Sequence, residues 1–188
     1  MQFPGLNIET PPVLADERLH ALFEYWLSLA RDAGGLPPVR TFDPLRLPKL
    51  LPNVWILEVE PETHRFRMRL AGEAINAIYR RNIGGQYFSD LFESHETEMV
   101  VERYTRALTE PAIFRAVGTV YSAAGRFSLG ERISFPMIGR SGATDTMLGI
   151  TVYDERLVEP SPLQVMGGVP TFYGVRAANH RPPRIVGG

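Results

Sequence analysis

Apolar positions along the chain change period twice, and the changes mark out the elements. Leu19, Leu22, Phe23, Trp26, Leu27 and Ala30 recur at i, i+3, i+4, i+7, i+8 and i+11, a single stripe on a helix. Asp16 stands at the N-cap position and Gly34-Gly35 at the stop. The five large side chains of that stripe represent roughly 7–15 kcal/mol of burial as an upper bound. Such a helix packs on its own domain or on a partner. Pro37, Pro38, Pro44, Pro48 and Pro52 then punctuate a connector that cannot be helical.

The period drops to two at Val54 to Glu60 and again at Arg65 to Ala71, around a Pro61-Glu62-Thr63 turn. In the second strand Arg65, Arg67 and Arg69 face one way, and Phe66, Met68 and Leu70 the other. A short helix is expected from Glu73 to Arg80. A longer one runs from Ser94 to about Thr109 on the stripe Met99, Val100, Arg103, Tyr104, Ala107 and Leu108. Three more strands are expected at Ala112 to Tyr121, Phe127 to Ile138 and Thr144 to Asp154, with glycines in the turns. The Pro/Gly-rich remainder from Pro160 lacks acidic residues and reads as flexible or wrapped against the domain. The expected organisation is an amphipathic helix and proline-rich connector at 1–52, a core at 53–156 and a flexible tail at 157–188. The core is α+β, a five-stranded antiparallel sheet with helices on one face.

Composition adds little to this outline. With 188 residues, 44% hydrophobic and 22% charged, the chain can build a real core. A net charge of −1 and arginines interleaved with acids argue against a nucleic-acid partner. The N-terminus lacks the basic and apolar regions of a secretory signal, and no apolar run is long enough to span a bilayer, so a cytoplasmic protein without membrane attachment is expected. The absence of cysteine excludes disulfides, thiolate metal sites and a cysteine nucleophile. It also excludes a flavin–cysteine adduct.

The element order is that of a PAS domain, and motifs strengthen the likeness. Arg69 to Ile75 followed by Arg81 to Phe92 resembles the PAS passage from second strand to short helix, glycine turn and an apolar "DL" segment. Leu19 to Asp154 resembles a bacterial family of short stand-alone PAS-like proteins. It carries "YW" at Tyr25-Trp26 and an Asp43-Pro44 to Pro52 connector, then an Arg65 to Gly72 strand and a Glu131 to Pro136 strand. One position departs: Arg80 stands where a turn glycine is expected. The resemblance implies a sensory or interaction module. Ligands or cofactors in such modules lie between the sheet and the helical middle, and dimers often form through a helix ahead of the core.

Candidate chemistry is sparse. Gly139-Arg140-Ser141-Gly142 is one residue off a nucleophile elbow and lies in a hairpin turn. His95-Glu96 lacks the second histidine of a zincin motif. His95 is also the one histidine in the helical middle, where some PAS domains ligate haem; a surface histidine at a helix start is the simpler account. Arg65, Arg67 and Arg69 read as a solvated stripe paired with Glu58 and Glu60, ahead of an anion site. The interior candidates are Trp55, Leu57, Phe66, Met68, Ile75, Tyr79, Phe88, Phe92, Tyr104, Phe135 and Met147. They read first as packed core, and in part as an apolar ligand pocket with Tyr79 and Tyr104 as polar tips.

The leading expectation is thus a non-enzymatic signalling module that acts through protein–protein contacts. It would form a homodimer through the Leu19–Ala30 stripe, signal to a separate protein and hold a small apolar ligand in its core. A haem, flavin or organic-acid receptor is the second reading. The third is a small enzyme with Glu131 as a buried acid–base carboxylate, since Glu131 alternates with Leu129 and Ile133.

Overall fold

A computed structural model describes residues 1–91, 94–123, 126–158 and 168–185. Short strands β1 (Gln2–Phe3) and β2 (Leu6–Ile8) precede helix α1 (Glu17–Ala33). Asp16 caps α1 by accepting from Arg18 N at 2.8 Å, and Gly34 closes it at φ 62°. The prolines then set three 3-10 turns, Val39–Thr41, Pro44–Arg46 and Leu51–Asn53. After them come β3 (Val54–Val59), β4 (Phe66–Ala71), α2 (Glu73–Tyr79) and α3 (Ser94–Thr109). The chain ends in β5 (Ala112–Ala123), β6 (Arg126–Met137), β7 (Thr146–Val158) and β8 (Val169–Ala177).

All eight strands join one sheet, β1-β2-β8-β5-β6-β7-β3-β4, and every pairing is antiparallel. The five expected strands are its continuous middle and edge. Counted along the core they lie in the order 2-1-5-4-3. The expected α+β, PAS-like architecture is therefore present, and the structure adds two features to it.

The first concerns the tail. Residues 169–177 are a strand, paired with β5 from Ala112↔Gly174 to Val117↔Val169 and with β2 at Leu6↔Ala177. Pro170 and Gly174 gave this stretch a loop-like composition, yet its inward and outward side chains alternate, with Phe172 on one face and Tyr173 and Val175 on the other. The expected tail residues 159–167 and 186–188 lie outside the described residues.

The second concerns the layers, because helices cover both faces. α2 and α3 pack on one face over Trp55, Leu57, Phe66, Met68, Phe114 and Met147. On the other, α1 packs over Ile133, Phe135, Leu148, Ile150 and Val152. Leu19, Leu22, Trp26 and Leu27 are fully buried there, and Phe23 and Ala30 nearly so. Phe23 and Trp26 stack on Phe135 with centroids at 5.7 and 5.3 Å. Trp26 Nε1 donates to Pro136 O at 3.2 Å. The stripe is thus consumed within the chain and is not an open face for a second copy.

Two local features depart from simple alternation. Ile56 pairs with Leu70 and Leu57 with Met68, so Arg69 is a β-bulge. The bulge sends Leu70 to the α1 side, away from Phe66 and Met68. Arg80 ends α2 in the left-handed region at φ 53°. The position needs a glycine-like conformation, and an arginine carries its strain. Arg80→Gly is expected to stabilise the fold by about 1 kcal/mol, raising Tm by roughly 2–4 °C in a scanning-calorimetry comparison.

The β6–β7 turn is held by a buried acid. Asp145 accepts from the Ser141 hydroxyl and from Thr146 Oγ1 at 3.0 Å, and Gly139 has no room for a side chain against its carboxyl group. Burial pushes the Asp145 carboxyl above its ordinary 3.8, against the pull of those two hydroxyls. The folded chain therefore binds this proton more tightly than the unfolded one. Stability from this group falls as pH rises from 3.8 through the raised value and stays at its lower level beyond. Asp145→Asn is expected to gain on the native chain across that window, read by urea unfolding at several pH values.

Candidate functional site

Between the sheet and α2–α3 the side chains enclose a cavity of about 30 Å³. Of the expected interior residues, Trp55, Met68, Ile75, Tyr79, Phe88 and Tyr104 line it. Leu57, Phe66 and Met147 belong to the same buried layer. Phe135 does not: β6 alternates, so Phe135 shares the α1 face with Ile133 and Met137. Phe92 and the side chain of His95 lie outside the described residues.

On the same face of the sheet, small residues lie beneath the aromatic rings. Across the inner face Phe114 pairs with Ser134, Ser134 with Gly149, and Gly149 with Trp55. A Cβ at Gly149 would lie within the Trp55 indole, so the glycine is what lets that ring lie flat across the strand. Tyr104 descends from α3 between the two aromatics, edge-on to Trp55 at 5.7 Å and to Phe114 at 5.3 Å. Phe66 and Phe88 stack at 6.2 Å and continue the wall.

One polar chain crosses the floor. Trp55 Nε1 donates to Thr151 Oγ1 at 3.0 Å, and Arg132 Nε donates to the same oxygen at 3.1 Å. Arg132 also donates to Val120 O at 2.7 Å. The first two bonds tie β3, β7 and β6 together beneath the cavity, and the third extends the chain to β5. Sequence reasoning missed Arg132, together with Ile83, Leu91 and Val100 in the wall. Strand parity was the available signal for Arg132: with Ile133 and Phe135 turned to α1, Arg132 must face the cavity.

The same parity removes Glu131 from this site. Glu131 faces the α1 side, where its Oε1 accepts from Arg115 Nε at 2.7 Å. The basic stripe is paired as cross-strand chemistry suggests: Arg67 reaches Glu58 at 2.6 Å and Glu60 at 3.1 Å, and Arg69 lies 3.8 Å from Glu58. Arg65 lies over the Tyr87 ring at 4.2 Å. No His/Asp/Glu group among the described residues is arranged to hold a metal ion. No helix among them is long and apolar enough to cross a membrane.

Sheet order, helical middle and aromatic cavity define an α+β domain with a recess between its antiparallel sheet and α2–α3. A family model for the PAS domain matches residues 15–152, and the chain belongs to the PAS-domain family. The match takes in α1, four of the five core strands and the first half of β7. PAS domains are in general sensory and signalling modules. No curated protein and no solved structure matches the chain.

Proposed function

We propose that this chain is a non-enzymatic PAS sensory module that takes a small apolar ligand into the cavity between the sheet and α2–α3. The observation that carries this reading is the aromatic cavity joined to three strands through Trp55, Thr151 and Arg132. At about 30 Å³ the cavity holds a water or two, well below the ~300 Å³ of a typical ligand site. Entry of a ligand therefore displaces part of the wall. The α2 side is the part that gives, because α2 has only seven residues and its Arg80 end is strained. Movement there reaches the sheet through Trp55.

Output passes to a second copy or to a separate protein. With the α1 stripe buried, the large apolar side chains left exposed on that sheet face among the described residues are Val117, Leu129 and Val169. A homodimer, on this reading, uses that end of the sheet, and Val117→Lys should halve the mass measured by light scattering. An unchanged mass rejects this interface.

The ligand itself is tested by native mass spectrometry and an absorption spectrum of the purified full chain. A small organic molecule released on denaturation is the expected result. A visible band from haem or flavin would overturn the apolar-ligand assignment in favour of a cofactor receptor.

A further inference from the structure

A second recess lies outside the cavity just described. It has a volume of about 300 Å³, ten times the interior cavity, and opens between the β3–β4 turn, the β6–β7 turn and the C-terminal segment. Its polar lining includes His64, Asp145, Arg181 and Arg184, with Val59 and the Pro182-Pro183 pair as apolar walls. Arg181 and Arg184 fall beyond the 15–152 span of the family match.

The charges do not cancel. Neither Arg181 nor Arg184 has an ion-pair partner among the described residues. The one acid in the lining, Asp145, is buried at 6% exposure and already accepts from Ser141 and Thr146. The two guanidiniums therefore face a recess whose acid is occupied.

The arm that carries them is held in place. Thr144 N donates to Arg181 O at 2.7 Å. His180 bridges Thr144 Oγ1 at 2.9 Å through Nδ1 and Thr109 O at 3.0 Å through Nε2. The carbonyl can only accept, so Nε2 donates to it. Pro182 and Pro183 fix the backbone between the two arginines. With the backbone pre-set, the ordering cost of binding is confined to the two side chains.

We propose that this recess is a binding site for the oxyanion group, carboxylate or phosphate, of a small organic ligand. Arg181 and Arg184 supply planar donor forks that match either group, and His64 closes the third side. The apolar walls accommodate the carbon skeleton of such a ligand.

The test is calorimetric titration of the full chain with inorganic phosphate and with malonate, at constant ionic strength maintained with chloride. Saturable binding of at least one is expected. Arg181→Gln with Arg184→Gln should weaken it at least tenfold, while Arg40→Gln on the exposed connector leaves it unchanged. In parallel, phosphate or malonate should shift the Gly142 and Ala143 amide resonances of the native chain, which needs no variant. Heat that does not saturate, equal binding by the double variant, or unshifted Gly142 and Ala143 amides would overturn the site.

Discussion

Replacing Trp26 with alanine is expected to cost about 3–5 kcal/mol of folding stability. The indole is fully buried in the chain's own core, stacks on Phe135 at 5.3 Å and donates to Pro136 O at 3.2 Å. Its loss leaves a cavity under α1 and removes the donor to that carbonyl. Urea unfolding measures the effect directly. The same logic applies to deletion of residues 1–35, which strips one whole layer from the sheet. That deletion should abolish the cooperative transition rather than release a stable core. A Trp26→Ala chain within 1 kcal/mol of the native one would mean that α1 is an appendage.

The second large effect is at Gly149. Gly149→Ala places a methyl group where the Trp55 indole lies. Movement of the indole is opposed by Tyr104, edge-on to it at 5.7 Å, and by the bond from its Nε1 to Thr151. Overpacking of this kind costs about 1–3 kcal/mol, and here it pushes the ring into the cavity. The variant should remain folded by circular dichroism, unfold at lower urea and lose any ligand response. Unaltered Trp55 packing in the variant, read by near-ultraviolet circular dichroism in a Trp26→Phe background, would contradict the account.

Much of the fold was legible in the pattern of the chain. The α1 stripe, the β3–β4 hairpin and the α3 boundaries follow from period and capping, since Asp16, Gly34 and the alternating Phe66 and Met68 each state their own geometry. What α1 packs against was not legible. A stripe such as Leu19–Ala30 shows that a face must be covered and is silent about which surface covers it. β8 was hidden because Pro170 and Gly174 mimic a loop, and pairing with β5 is a non-local fact. Phe135 was misplaced for a related reason. When helices cover both faces of a sheet, apolar residues on adjacent strand positions are all buried, and composition cannot assign a side. The Arg69 bulge likewise turned Leu70 over by one residue. Arg132 and the Arg181–Arg184 recess depend on which strands and segments meet, and no local motif announces them.

Methyl NMR on the full chain tests the central claim most directly, because the isoleucines and methionines sort cleanly by layer. Met68, Ile75 and Ile83 border the cavity, while Ile113, Ile133, Met137 and Ile150 lie under α1. Titration with a panel of small apolar compounds should shift Met68, Ile75 and Ile83 in a saturable way and leave the α1-side methyls still. Shifts confined to the α1 layer, or none at any methyl across the panel, would contradict a sensory site between the sheet and α2–α3.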